Sequence, residues 1–140
     1  MAVYTMDQIP SLIPQRPPMV MIDSVLASTP LTITTALTVL PTNILVQDGC
    51  LVEAGLIENI AQTAAAMNGC EAIKRGEQPK LGFIGEVKNF ICRRLPRVGE
   101  TIHTSLTTLA SMAGVTLVEA QTVCNGEPVA EAQLKIFIQQ

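Results

Sequence analysis

Glu58 and Gln62 are the residues of this chain whose types and spacing point most directly to chemistry. Glu58 is an acid in the most apolar helical segment of the sequence, between Ile57 and Ile60. A buried carboxylate is costly and is tolerated mainly where it has a partner or a function. Residues four apart point the same way on a helix, so Gln62 can bond to the Glu58 carboxylate. The pair predicts a proton donor oriented by an amide, or a structural acid bonded to Gln62 or to a loop amide.

A single long helix is predicted to carry this pair. The segment from Leu51 to Arg75 is introduced by Asp48-Gly49 and stopped by Gly76, with Lys74 and Arg75 in its last turn. Apolar residues surround most of the segment, and a helix that is apolar on nearly all sides is buried. The rest of the chain must therefore wrap around this helix.

Strands are predicted before and after the helix, following a short helix from about Met6 to Ile13. Period-two alternation and turn residues predict strands from Met19 to Leu26, from Leu31 to Val39, from Lys80 to Arg93, from Gly99 to Ser111 and from Val115 to Cys124. Asn125-Gly126 is a tight hairpin signal before a final strand. The core-facing residues are predicted to be Leu31, Ile33, Leu37 and Val39 in the second strand, and Ala130, Ala132, Leu134, Ile136 and Ile138 in the last. This order predicts one α+β domain over residues 1–140, an antiparallel sheet wrapped around one long central helix.

Composition and charge exclude several classes of function. Hydrophobic residues make up 48% of the 140 residues, charged residues 15%, and the net charge is −3. So apolar a chain suggests that some surface is buried against another subunit. The lack of Lys/Arg clusters and the few aromatic residues argue against nucleic-acid binding.

Targeting and cysteine patterns indicate a cytoplasmic protein. No run of about 20 apolar residues predicts a membrane-spanning helix, and no signal-peptide pattern is evident. The four cysteines are scattered and only one histidine, His103, accompanies them. Reduced, packed thiols are therefore expected, and no metal site.

Three stretches resemble the hotdog-fold family of 3-hydroxyacyl-acyl-carrier-protein dehydratases, and the order of elements is similar too. Ile13–Asp23 resembles the family's Pro-His-x-x-Pro-aliphatic-Asp segment, and Leu56–Gln62 resembles its Glu-x-x-Ala-Gln helix motif. Gly82–Phe90 followed by Pro96–Glu100 resembles its strand and Pro-x-x-Gly-Asp/Glu turn. The Asp48-Gly49 pair makes the chain most similar to the dehydratase-like proteins of aryl-polyene pigment clusters.

The resemblance implies elimination of water from a 3-hydroxyacyl thioester carried on the phosphopantetheine of acyl carrier protein or coenzyme A, with no other cofactor. In the family, a histidine is the base on the alpha carbon, and the helix acid, reached from the partner subunit, handles the departing hydroxyl. Glu58 matches the acid, but Gln15 stands where the family has histidine. A glutamine amide can hydrogen-bond but cannot accept a proton at physiological pH. Whether the chain is an enzyme on its own is therefore left open.

Further residues acquire expected roles from the resemblance. The substrate-binding set is expected to be Gln62, Leu56, Ile57, Phe83 and Gly85. Backbone N–H groups near Leu56 and Ile57, or at a helix start at Gly49-Cys50, are expected to polarise the thioester carbonyl. Four arginines either attract an acidic carrier protein or are scattered solvated side chains, namely Arg16, Arg93, Arg94 and Arg97. Four methionines either line an acyl tunnel or belong to the core, namely Met19, Met21, Met67 and Met112. His103 is expected to be an ordinary strand residue.

Three functions remain open from the sequence. The first is a dehydratase-like protein of fatty-acid or polyene synthesis with Glu58 as its acid. The second is an acyl-thioesterase in which Glu58 activates water or attacks the thioester and Gln15 positions the carbonyl. The third is a non-catalytic subunit of a heterodimeric dehydratase. The apolar helix and the resemblance together predict a homodimer or larger homo-oligomer, or a heterodimer with a histidine-bearing paralogue.

Overall fold

The computed structural model describes residues 2–80 and 82–138, with the backbone alone for Phe83 and Ile138. The elements are a 3₁₀ helix (Met6–Ser11), β1 (Ser24–Ser28), β2 (Thr32–Thr38), β3 (Val46–Gln47), β4 (Cys50–Leu51), α1 (Glu53–Lys74), β5 (Gly82–Cys92), β6 (Thr101–Met112), β7 (Val115–Cys124) and β8 (Glu127–Ile138). Six strands form an antiparallel sheet in the order β1-β2-β6-β7-β8-β5. Helix α1 contacts β1, β2, β5 and β6. The predicted sheet around one long helix is confirmed.

The start of α1 differs from its predicted position. Asp48 and Gly49 have φ values of 53° and 77°, and they form the two-residue turn between β3 and β4. Two successive left-handed residues suit a tight hairpin and cannot begin a helix. Helix α1 therefore begins at Glu53, after Val52 in an extended conformation. The prediction of a helix start at Gly49-Cys50 is wrong.

Burial along the strands follows the predicted alternation in most places. In β8, Ala130, Ala132, Leu134 and Ile136 are buried as predicted, while the Ile138 side chain lies outside the described part of the chain. The pairs Ala113-Gly114 and Asn125-Gly126 have positive φ values and close the two hairpins of the last three strands. Leu31 is an exception, because it precedes β2 and is 59% exposed.

The predicted strand from Met19 to Leu26 forms part of the sheet only from Ser24 onward, and its pairing with β2 has a bulge between Val25 and Ala27. Before that point the chain runs beside α1, where Met21 and Ile22 are buried. Asp23 ends this stretch and accepts a hydrogen bond from the Thr38 amide at 2.7 Å. Burial raises the pKa of the Asp23 carboxyl, and the Thr38 hydrogen bond partly opposes this. Side chains of α1 replace the missing strand partner here.

A fully buried polar network ties the sheet to α1. Thr104 Oγ1 donates to Asn59 Oδ1 at 2.6 Å, so its contact with Thr122 Oγ1 at 2.8 Å makes Thr122 the donor. Asn59 Nδ2 in turn donates to the Met21 carbonyl at 2.8 Å. Each of these buried groups is paired, which satisfies the general requirement for polar atoms in a core. The network fixes the position of Asn59, and with it the neighbouring Glu58.

Glu100, at the end of the Pro96–Glu100 turn, joins three segments. Its carboxylate accepts two hydrogen bonds from the Arg94 guanidinium at 2.9 and 3.1 Å, and one from the Arg97 amide at 2.7 Å. It also accepts a bond from Asn125 Nδ2 at 3.2 Å. The Arg94 hydrogen bonds lower the pKa of Glu100 from its ordinary 4.5 to about 2. The turn thus depends on an ionised Glu100.

We expect Glu100→Gln to remove one source of acid sensitivity. Because the folded protein holds the Glu100 pKa at about 2, below its ordinary 4.5, the ion pair contributes stability above pH 4.5 and loses it as the pH falls toward 2. Urea unfolding of wild type and variant across this range should show the wild type as the more stable protein at the upper end. The difference should shrink as the pH falls. A difference that does not change with pH would contradict this role for the ion pair.

Gly69 lets the N-terminal segment touch α1 directly. A Cβ at this position would collide with the Leu12 carbonyl oxygen and lie 2.9 Å from Leu12 Cα. The close approach brings the backbone that precedes Gln15 onto the helix. Gly69 therefore has a packing role, although alanine is the better helix former.

We expect Gly69→Ala to lower the free energy of unfolding by about 1–3 kcal/mol, because backbone must move to admit the Cβ. Gly55→Ala in the same helix is the matched control, since the atoms nearest to its Cβ would belong to the side chains of Leu51 and Leu45 and not to backbone. The control should lose less stability in urea unfolding. Equal losses of stability would mean that the Leu12 backbone moves as easily as the Leu51 and Leu45 side chains to admit a Cβ.

Candidate functional site

A cavity of about 680 Å³ lies along one face of α1. Four residues of its helical lining are spaced three or four apart, namely Glu58, Ala61, Ala65 and Asn68, and Ala64 and Ile73 of the same helix also line it. The remaining lining comes from the N-terminal segment 10–15, from residues 77–80 after the helix, and from Gly82, Ile84 and Ile136 of the sheet. The alanine side chains are small and apolar, so they leave room above the helix. The cavity is therefore mostly apolar, with the Glu58 carboxylate on its helical side.

The N-terminal segment runs antiparallel to α1, and this brings Gln15 to the cavity. Leu12 lies against Gly69, near the end of the helix. Further along the chain, the Met19 carbonyl accepts from Gln62 Nε2 at 2.7 Å, one turn after Glu58. Gln15 falls between these two contacts and lines the same cavity as Glu58. Tertiary packing therefore brings together the two residues that the sequence proposed as catalytic.

Glu58 is half-buried, and a completely buried amide holds it. Gln62 Nε2 donates to Glu58 Oε2 at 2.7 Å, while Gln62 Oε1 accepts from the Met21 amide at 2.6 Å. Gln62 is 0% exposed and does not line the cavity. Glu58 Oε1 makes no hydrogen bond with any residue that the structure describes. Gln62 thus fixes one carboxylate oxygen and leaves the other for a ligand.

Arg16 holds the segment that carries Gln15. Its guanidinium donates to the carbonyls of Ile13 and Gln15, both at 2.8 Å, and to that of Pro10 at 3.0 Å. Prolines at positions 14 and 17 restrict the same segment further. The Arg16 guanidinium therefore binds carbonyls of its own segment.

Three of the other predicted substrate-binding residues, Leu56, Ile57 and Gly85, do not line the cavity. Leu56 is fully buried in a separate part of the core, and its amide donates to the Val52 carbonyl at 3.2 Å. Ile57 is half-buried, and a Cβ at Gly85 would collide with the Phe137 ring. The Phe83 side chain lies outside the described residues. Because Leu56 is two positions and Ile57 one position from Glu58, the helix turns them to other faces. The Leu56 amide is thus not free to polarise a carbonyl, whereas the role expected of the Ile57 amide stays a prediction.

Sequence reasoning missed the far end of the cavity. Asn68 Nδ2 donates to the Lys80 carbonyl at 2.7 Å, which closes residues 77–80 over the end of α1. The spacing of Ala61, Ala65 and Asn68 from Glu58 places all four on one helical face. That periodic signal was present in the sequence, but the segments that cover the face were not predictable from it.

The remaining predicted residues lie away from the cavity. Met21 and Met67 belong to the core, Met112 is 80% exposed at the β6–β7 turn, and none of the four methionines lines the cavity. His103 is exposed on β6. Arg93 pairs with Glu131 at 3.3 Å. The acyl-tunnel role weighed for the methionines is not supported by this arrangement.

Three cysteine thiols outside the cavity are buried or half-buried. Burial raises the pKa of the Cys70, Cys92 and Cys124 thiols, which favours the neutral form. Within residues 2–80 and 82–138, no three His, Cys, Asp or Glu side chains are grouped so as to hold a metal ion. No helix in the described part of the chain is both long and apolar enough to cross a membrane.

Comparison with known proteins identifies the family. Residues 7–140 match the family model described as ApeP-like, the ApeP dehydratase. The chain belongs to the ApeP-like dehydratase family. The resemblance to dehydratase-like proteins of aryl-polyene clusters is thereby confirmed. No curated protein sequence matches the chain.

Solved structures confirm the hotdog fold of this ApeP-like protein. The dehydratase heterocomplex ApeI:P from Xenorhabdus doucetiae is similar with 20% identity and a TM-score of 0.85, covering 94% of this chain and 91% of that one. A hypothetical thioesterase protein with coenzyme A from Streptococcus pneumoniae TIGR4 has 10% identity and a TM-score of 0.67, covering 82% and 84%. The E. coli PaaI protein of the phenylacetic acid degradation operon has 10% identity and a TM-score of 0.67, covering 81% and 80%.

Proposed function

We propose that this protein is one subunit of a two-subunit dehydratase that eliminates water from 3-hydroxyacyl thioesters. The observation that carries the proposal is the cavity shared by Glu58 and Gln15, which supplies an acid but has no histidine among its described lining residues. His103, the one histidine in the sequence, lies elsewhere on β6. A partner subunit with a histidine would complete the site. The related Xenorhabdus doucetiae structure, itself a dehydratase heterocomplex, supports this arrangement.

The proposed reaction divides the proton transfers between the subunits. The partner's histidine removes a proton from the alpha carbon, and the electron pair forms the double bond between the alpha and beta carbons. The bond from the beta carbon to oxygen breaks, and Glu58 gives its proton to the leaving hydroxyl to form water. Exchange with solvent then returns a proton to Glu58 and removes one from the histidine. The acyl group is carried on the phosphopantetheine of a carrier protein or of coenzyme A, and no resident cofactor is required.

The exposed edge of the sheet supports assembly with a partner. Strand β5 has 11 residues and lies at the edge of the sheet, beside β8 alone. It exposes three large aliphatic side chains, Ile84, Val87 and Ile91. Long apolar edge strands are usually covered, because they expose unpaired backbone groups beside apolar side chains. We propose that β5 is the edge at which the partner's sheet joins.

Reconstitution tests the proposal. The chain alone should form little enoyl thioester from a 3-hydroxyacyl thioester. Addition of a histidine-bearing hotdog paralogue should raise dehydration by roughly 10²–10⁴-fold, the usual contribution of a general base. Full dehydration by the chain alone would overturn the two-subunit proposal.

Light scattering on variants tests the proposed interface. Ile91→Asp places a charge on β5, where Ile91 is 44% exposed, and should abolish assembly with the paralogue. Leu109→Asp on β6 is the matched control, since Leu109 is 48% exposed but lies away from β5. Assembly that survives Ile91→Asp would place the interface elsewhere.

An acyl-thioesterase is the second candidate, because Glu58 and Gln15 share one cavity without a histidine. Glu58 would activate water or attack the thioester, and Gln15 would position the carbonyl. The same incubation separates the two functions, since a thioesterase releases a free acid whereas a dehydratase forms an enoyl thioester.

A further inference from the structure

The two ends of the Gln15 side-chain amide lie in different environments. Gln15 Oε1 is buried and has no hydrogen-bond partner among the described residues. Nε2 of the same amide donates to no described residue either, but it is not among the buried unpaired atoms, so it is accessible. Since Gln15 lines the cavity, the nitrogen is the end that can reach a ligand there.

The opposite orientation of this amide would be less stable. Turning the group over would bury an NH₂ group with two donors in place of a carbonyl oxygen. Each buried unpaired polar group costs desolvation free energy, and two unsatisfied donors cost more than one acceptor. The structure therefore favours a glutamine whose N–H groups face the cavity.

The backbone that carries this donor is held in place before any ligand arrives. The Arg16 guanidinium bonds the Gln15 backbone carbonyl and two earlier carbonyls of the segment, and Leu12 is packed on Gly69. A donor whose backbone is fixed in advance needs less reorganisation to stabilise negative charge that develops in the reaction. Gln15 thus has the properties of a substrate-binding donor.

Glu58 has a different part in the proposed reaction, because its proton goes to the leaving hydroxyl and not to the carbonyl. The Gln15 nitrogen only donates hydrogen bonds, and a thioester carbonyl oxygen accepts them. We infer that Gln15 Nε2 donates a hydrogen bond to the thioester carbonyl of the acyl substrate. This inference rests on the proposed function. The bond would stabilise the negative charge that reaches the carbonyl oxygen when the alpha proton leaves. It replaces the Leu56 amide in that role, because the helix already uses that amide.

Two unreactive ligands test the inference on the full chain: octanoyl-pantetheine, and its thioether analogue in which the carbonyl is a methylene. Calorimetry should show that the wild type binds the thioester roughly 3- to 10-fold more tightly, as expected for one neutral hydrogen bond. Gln15→Met should lower thioester affinity to that of the thioether and leave thioether affinity unchanged. Gln78→Met is the matched control in the same cavity and should keep the preference.

An infrared measurement on the wild type adds a readout that needs no variant. The carbonyl stretch of bound octanoyl-pantetheine should lie at lower frequency than that of the same thioester in an apolar solvent. Equal affinity for both ligands, an unshifted carbonyl, or a preference that survives Gln15→Met would overturn the inference and leave the proposed function standing. Failure of the wild type to bind either ligand, both alone and together with the histidine-bearing paralogue, would overturn the proposed function, and the inference with it.

Discussion

Glu58→Gln is expected to abolish dehydration by the two-subunit complex while the fold stays intact. Glutamine has nearly the same shape and can still accept a hydrogen bond from Gln62 Nε2, which now meets Glu58 Oε2 at 2.7 Å. It has no acidic proton to give to the departing hydroxyl. The rate of enoyl formation should therefore fall by roughly 10²–10⁴-fold. The absorbance of the enoyl thioester measures this rate.

Stability measurements decide whether the effect of Glu58→Gln is chemical. The free energy of unfolding should change by about 1 kcal/mol or less, because the hydrogen bond is retained. Glu77→Gln is the control, as Glu77 also lines the cavity but pairs with Arg75 on the surface. A loss of several kcal/mol in Glu58→Gln would instead identify Glu58 as a structural acid, and its catalytic role would have to be abandoned.

Gln15→His should create or increase dehydration by the chain on its own. Imidazole has an ordinary pKa of about 6.5 and can accept a proton near neutrality, which the glutamine amide cannot. Gln15 and Glu58 line one cavity of the same chain, so base and acid would already face one substrate. A gain of roughly 10²–10⁴-fold in enoyl formation is expected.

Two further variants show whether that gain comes from the intended site. Gln78→His adds an imidazole to the same cavity at residues 77–80 and should give no activity. Glu58→Gln added to Gln15→His should remove the gain. If Gln15→His folds normally, binds the acyl thioester and forms no enoyl product, then Gln15 does not occupy the base position. The family mechanism would then not apply to this chain.

The candidate site could be predicted from the sequence only in part. Glu58 and Gln62 were evident because a helix fixes the direction of residues four apart, and the structure shows their hydrogen bond. The assignment of Leu56 and Ile57 to the substrate came from a motif, and motifs do not record which helical face each residue occupies. Gln15 and Glu58 line the same cavity only because of the way in which the segment 12–21 lies along α1. That arrangement is set by distant contacts, such as Leu12 on Gly69 and Met19 with Gln62.

The sequence by itself determined the elements whose signals are local. The alternation of β8, the Asn125-Gly126 hairpin and the single apolar helix each follow from side-chain direction and backbone preference over a few residues. The tertiary structure decided the cases in which one local sequence signal fits two different conformations. Asp48-Gly49 could precede a helix or close a hairpin. The turn is anchored because the Gly49 carbonyl accepts a hydrogen bond from the Val98 amide and the nearby Leu51 amide donates to the Pro96 carbonyl. The cavity likewise depends on the tertiary structure, because its lining comes from segments far apart in the chain. No local pattern specifies how these segments pack together.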